Sequence, residues 1–263
     1  MPEGDTIFRT ARTLDKALAQ RRVLNARSSV ARVRAGSLIG AEVRRVEARG
    51  KHLLIHFEDG RALHSHMGMH GSWHIYRPGE RWQRSPAQGR CVLETDEFIA
   101  VCFGAPTLEL LSRSALLQHE RLRGLGPDVI ESENPGAGIE RLRQHGELPI
   151  GEALMQQSIV AGIGNVYKSE VLFLCAVSPF SAVSELSEAT LERLLDTAQR
   201  LLRRNLSGSA RRTRHALGDA DRYWVYRRSG SACHRCATTI RMRRQGAAAR
   251  STYYCPTCQA VVD

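Results

Sequence analysis

Lysine is nearly missing from this chain. Of 263 residues, 38 are lysine or arginine, yet the only lysines are Lys16, Lys51 and Lys168. Arginine therefore carries almost all of a net charge of +11 and an isoelectric point near 9.8. Arginine suits bidentate contacts to phosphate, and a balance this basic points to a polyanionic partner, either nucleic acid or an acidic membrane surface. A run of about 20 apolar residues is also lacking, which excludes a spanning helix. The N-terminus carries no apolar signal-peptide core, so a cytoplasmic location is expected. Seven cysteines in that reducing setting are expected as buried thiols and metal ligands rather than disulfides. No internal repeat is visible.

What is present has the texture of an α+β multidomain protein. Residues 6–20 predict a helix with Ile7, Leu14 and Leu18 on one side, and Asp5 is placed to cap it. From about 22 to 104, short runs such as Leu53-Leu54-Ile55-His56-Phe57 and Ser72-Trp73-His74-Ile75-Tyr76 alternate with Gly and Pro turns. That spacing suggests a β-sandwich or barrel, and a domain over 1–123. Residues 124–138 are rich in Gly and Pro and are expected as an interdomain linker. Helices are expected over 139–145, 151–158, 165–175 and 187–205, within a domain 139–222. Short strands punctuated by cysteines then fill 223–263.

Three motifs carry chemistry. The chain begins Met1-Pro2-Glu3-Gly4-Asp5. Removal of Met1 exposes a secondary amine whose pKa of about 8 leaves a useful fraction unprotonated at neutral pH. Such an amine attacks an aldehyde-like carbon to give a cationic iminium, and Glu3 sets a carboxyl beside it to move protons. At the other end, Cys233-His-Arg-Cys236 and Cys255-Pro-Thr-Cys258 form two knuckles that bring four thiolates round one structural Zn2+. His234 is then spare, and Cys91, Cys102 and Cys175 are expected in the core. Between Arg200 and Arg250, crowded arginines are opposed only by Asp219 and Asp221, a patch suited to a phosphate backbone. Between these ends, Gly162-Ile163-Gly164-Asn165 links two helical stretches. Asn165 there is placed to cap the second helix or bond a phosphate oxygen, and Lys168 is expected to add a positive charge.

Together these features resemble the formamidopyrimidine-DNA glycosylase / endonuclease VIII family over the whole chain. The resemblance implies an N-terminal β-sandwich with flanking helices, then a helix–two-turn–helix domain with a zinc-ribbon finger. It also implies a repair enzyme that removes oxidised bases and cuts the strand by β,δ-elimination, acting as a monomer on damaged double-stranded or single-stranded DNA, nucleoid-associated through that DNA. Pro2 takes the place of the nucleophile and Glu3 of its proton-transfer partner. Lys51, in Gly50-Lys51-His52, matches a supporting lysine, and Arg250 a finger arginine assigned to the second elimination. Asn165 matches a phosphate-binding asparagine. His66-Met67-Gly68-Met69-His70-Gly71 corresponds to the loop that fills the gap left by an extruded base, with Met69 as wedge or, alternatively, as core, and His70 next to it. Where the formamidopyrimidine enzymes carry Asp-Pro-Arg-Arg-Phe-Gly, this chain has Ala100-Val101-Cys102-Phe103-Gly104. The missing arginine favours the endonuclease VIII branch and oxidised pyrimidines.

Two other classes account for part of the pattern. A non-catalytic damaged-DNA-binding protein of the same fold would share the charge, loop and finger, but has no chemical need for Pro2, Glu3 and Lys51 together. A zinc-ribbon transcription or RNA-binding factor accounts for 233–258 and leaves the N-terminus without a role.

Overall fold

The structure is a computed structural model that describes residues 2–208, 210–215 and 221–260. Met1 and Asp219, both invoked from the sequence, lie outside the described residues. The chain divides into two compact units, 1–124 and 125–263.

The first unit is a β-sandwich. Helix α1 (Gly4–Leu18) is followed by β1 (Asn25–Ser28), β2 (Val43–Arg49), β3 (His52–Phe57), β4 (Ala62–His66), β5 (Ser72–Tyr76), β6 (Gly89–Glu94), β7 (Ile99–Phe103) and β8 (Thr107–Leu111). Short helices α2 (Arg113–Gln118) and α3 (Glu120–Arg123) close the unit. Two antiparallel four-stranded sheets form, ordered β1-β6-β7-β5 and β2-β3-β4-β8. The period of two along β3 sends Leu53, Ile55 and Phe57 into the sandwich core, where Ile7, Leu14 and Leu18 of α1 join them. The expected side of α1 is thus the buried one. The helix starts two residues earlier than a cap at Asp5 would require: Glu3 is the N-cap, and Asp5 lies buried in the first turn beside Arg9.

The second unit holds α4 (Gly136–Arg143), α5 (Ile150–Ala153), α6 (Asn165–Leu174), α7 (Glu188–Arg204) and the hairpin β9 (Arg241–Gln245) and β10 (Arg250–Tyr254). Its early segment, expected as a tether, is built into it. Val129 and Ile130 are buried among the glycines and prolines, Gln199 Nε2 donates to the Val129 and Ser132 carbonyls, and Arg203 Nε donates to that of Ile130. The helical and cysteine-bearing segments, expected as separate domains, share this one unit. Phe173 of α6 packs with Val225, Cys233, Ile240 and Cys255. Glu170 of α6 is fully buried and accepts from the backbone N–H of Trp224, Val225 and Tyr226 and from the Thr213 hydroxyl. Among the described residues, no helix is long and apolar enough to cross a membrane.

Candidate functional site

In the first unit the N-terminus is presented on a fixed support. Pro2 is half-buried directly ahead of α1, and Glu3 has no exposed surface. Lys51 lies in the tight turn between β2 and β3, where Gly50 adopts φ +58°. Its charge, after the effect of burial, helps hold the neighbouring His66 imidazole below its usual pKa.

The loop joining β4 to β5 exposes two candidate side chains. Gly68 takes φ +57°, and a Cβ on Gly71 would stand 2.4 Å from the Met67 carbonyl oxygen. Only glycine allows that closure. Met67 is buried beneath the loop, while Met69 is 59% exposed and His70 points out beside it. Met69 is therefore not core. Arg84, which no sequence motif points to, donates to the His70 carbonyl at 3.2 Å and lies over the Phe103 ring. Phe103 itself is wholly buried on β7.

In the second unit the glycine turn is knitted by Gln157. Its amide oxygen accepts from Gly162 N–H, and its nitrogen donates to the Ile163 carbonyl. Gly162 takes φ +99°, and Gly164 rather than Asn165 is the N-cap of α6. Asn165 is 6% exposed and donates one amide proton to the Ser251 carbonyl at 2.8 Å.

Lys168 requires a correction. It has no exposed surface, and its ammonium donates to Thr252 Oγ1 at 2.7 Å. Thr252 in turn donates to Gln245 Oε1, and Gln245 Nε2 to the Pro179 carbonyl. A buried ammonium held this way joins α6 to the β9–β10 hairpin and does not reach a phosphate. Arg250 opens β10 and is exposed, as are Arg241, Arg243 and Arg244 on β9. Other arginines of the expected patch are structural. Arg235 stacks on Phe173 and Trp224 and donates to the Phe173 carbonyl, and Arg228 donates to the Trp224 carbonyl.

The four cysteine sulfurs converge, with Cys233–Cys258 at 3.9 Å and both Cys236–Cys255 and Cys236–Cys258 at 3.4 Å. Tetrahedral zinc with Zn–S of about 2.3 Å sets sulfurs roughly 3.8 Å apart, so the donor set fits. The backbone N–H of Arg235 and of Cys258 point at Cys233 and Cys255 sulfurs, which favours thiolates. These four residues form one structural zinc site. His234 is no ligand; it pairs with Asp221 at 3.1 Å. Cys91, Cys102 and Cys175 are buried, and burial pushes the Cys91 thiol up to about 12.

Such a sandwich, helix–two-turn–helix and four-cysteine finger in one chain defines an architecture known from DNA-repair glycosylases. Residues 1–106 match the formamidopyrimidine-DNA glycosylase N-terminal domain, 125–215 its H2TH domain, and 230–261 the zinc finger found in FPG and IleRS. The fold is similar to that of Lactococcus lactis formamidopyrimidine-DNA glycosylase, solved bound to DNA with an abasic site. The TM-score is 0.82 at 23% identity, covering 99% of this chain and 100% of that one. Among relatives, the chain is 42% identical to "Probable endonuclease 8 2" of Streptomyces coelicolor, over 99% of this chain and 94% of that protein. It is 35% identical to "DNA-(apurinic or apyrimidinic site) lyase Nei2" of Mycolicibacterium smegmatis, over 98% and 99%. The chain belongs to the formamidopyrimidine-DNA glycosylase / endonuclease VIII family, on the side of the endonuclease 8 proteins.

Proposed function

We propose that this protein is a bifunctional DNA glycosylase and abasic-site lyase of base-excision repair that acts as a monomer on oxidised bases, pyrimidines above all. Its partner is damaged DNA, double- or single-stranded, and its place of action the cytoplasm at the nucleoid. The observation that carries this reading is the N-terminus. Pro2 stands at the start of a helix pinned into the sandwich by Ile7, Leu14 and Leu18, with the buried Glu3 beside it. A helix N-terminus disfavours positive charge, which suits an amine that must attack unprotonated.

The target nucleotide must leave the stack to expose C1′. Met69 and His70 are suited to fill the vacated space, while the phosphates are held by exposed arginines including Arg250, and by Asn165 through its second amide proton. The Pro2 nitrogen bonds to C1′ as the glycosidic bond breaks. The base leaves with that electron pair and takes up a proton, and Glu3 manages the proton transfers that open the sugar ring to the iminium. The iminium acidifies C2′–H; losing that proton expels the 3′ phosphate, and a second loss at C4′ expels the 5′ phosphate. Lys51 and Arg250 support the departing phosphates. Zinc takes no part in these steps, because four sulfurs close its coordination shell.

Borohydride trapping tests the proposal on oligonucleotides carrying oxidised pyrimidines, oxidised purines or a preformed abasic site. A covalent adduct is expected when Pro2 is the free N-terminus, and none when a residue is retained ahead of it. Full trapping by the blocked protein overturns the nucleophile. Tight lesion binding without any trapping favours the non-catalytic binder.

A further inference from the structure

Four side chains of the first unit form a row that the proposed chemistry does not use. Strand register sets His64 opposite Glu109, and His52 opposite His66, on one face of β3, β4 and β8. His52 Nδ1 lies 2.8 Å from His64 Nε2, and His64 Nδ1 lies 2.8 Å from Glu109 Oε1. His119 Nε2 reaches the same oxygen at 3.0 Å. Beside Glu109 and His119 opens a groove of about 610 Å³, lined also by Arg32, Arg90 and Arg121.

The hydrogen bonds fix which nitrogens carry protons. His119 Nδ1 accepts from Leu122 N–H, so the neutral ring bears its proton on Nε2 and donates to Glu109. Burial works against charge on Glu109, but bonds from His64 and His119 outweigh it and hold the carboxyl below its usual range. The ionised carboxylate only accepts; His64 Nδ1–H therefore donates to it, and His64 Nε2 accepts from His52 Nδ1–H. The lone pair of the row is left on His52 Nε2, which makes no hydrogen bond among the described residues. The ligand atoms of His64, Glu109 and His119 lie close enough to tempt a metal assignment. His119, however, has no lone pair to spare while it caps α3.

We propose that Glu109, His64 and His52 are a buried proton relay, running from the groove to the end of β3 next to Lys51, and that they are positioning residues for the Lys51 end of the site. A proton arriving at His52 Nε2 is passed on as His52 Nδ1–H moves to His64 Nε2 and His64 Nδ1–H moves to Glu109. One carboxylate is neutralised, and no imidazolium is left buried. That is why the row accepts a proton that a single ring refuses: burial first, then the nearby His64, His66, His119 and Arg121, depress His52 to about 3. The groups facing the row are thus His66 and Lys51 at its inner end and His119 and Arg121 at its outer end. Titration then belongs to the row as a unit.

This inference rests on the lyase reading for its link to Lys51, but not for the relay itself. Glu109→Gln is the discriminating variant, because a glutamine oxygen still accepts both histidine N–H groups but stores no proton. In 15N-histidine NMR of the zinc-loaded protein, His52 and His64 are expected to change tautomer together at one midpoint, and Glu109→Gln to abolish that step while the fold is kept. In strand cleavage at a preformed abasic site, the same variant should lose one ionisation from the pH profile and about tenfold in rate, with borohydride trapping unchanged. Fixed tautomers throughout, independent titrations, or a Glu109→Gln pH profile identical to that of the parent overturns the relay. So does a second metal ion per chain. If the parent neither traps nor cleaves, the lyase reading fails by itself, and the NMR arm still decides the relay.

Discussion

The two units solve the same problem of stability with different materials. In the first, α1 and both sheets bury a continuous apolar cluster from Ile7 to Leu108, and its buried histidines are kept neutral. The second also has an apolar interior, but adds buried polar staples to it: Glu170 under the 224–226 backbone, Lys168 on Thr252, Gln245 and Gln259 on backbone carbonyls, and a metal site at the end. An apolar core tolerates the loss of one contact by partial collapse, whereas a buried polar network left half-satisfied is worse than none. In the second unit planar guanidinium groups stack on Phe173, Trp224 and Phe180 and fork onto carbonyls, which a lysine cannot reproduce.

The sharpest way to separate the units is to remove the metal. Structural zinc contributes on the order of 10 kcal/mol in small fingers, so chelation or Cys255→Ser should disorder the second unit and abolish DNA affinity. The sandwich should survive as a protease-resistant core beginning at the N-terminus. Loss of both units together would mean that the comparison is wrong.

A matched pair of substitutions comes next. Glu170→Gln places an amide against backbone N–H donors and should destabilise the second unit by about 3 kcal/mol. Leu53→Ala should cost about the same in the first, through a cavity. Denaturant melts followed by zinc release and by tryptophan fluorescence tell the two transitions apart; equal effects of either change on both would erase the distinction.

Acid should act on the first unit. His52 has a folded-state pKa of about 3 against 6.5 when free. A group depressed on folding contributes stability that is complete above 6.5 and is lost as pH falls towards 3, here at no more than about 1.4 kcal/mol per pH unit. His52→Phe should flatten the acid limb of the sandwich melt, and a limb of unchanged slope would show that other groups set it.

The smallest contrast lies at the two proposed DNA contacts. Arg250→Ala should lower the slope of log affinity against log salt by about one unit. Met69→Ala, on the other unit and uncharged, should leave the slope alone while slowing excision from duplex DNA more than cleavage at an abasic site. Unchanged excision by Met69→Ala would move the wedge to His70.

The parts legible in the sequence were those with local signatures: the apolar side of α1, the short runs of β3 and β5 between turn signals, the cysteine spacing, and the glycine turn at 162–164. Lys168 was not legible. A lysine one turn into a helix after a glycine turn has the same local pattern whether it faces solvent or the hairpin, and its partner Thr252 lies 84 residues on. The segment 124–138, expected as a linker, was not legible for a similar reason, since Gly and Pro signal a turn but do not say whether Val129 and Ile130 find a surface to cover.

The relay had a faint signal, because His64 and His66 share a strand face by the period of two, and nothing in that pattern names Glu109 or His119 as their neighbours. By itself, then, the sequence determined the zinc ligands, the sandwich strands and the proline start, because each depends on residue type at short range. Tertiary structure alone decided which polar groups are buried together. Burial and the hydrogen bonds that come with it, which bear on the charge of Glu170 and the tautomers of the histidine row, are properties of everything packed around a side chain rather than of its neighbours in the chain.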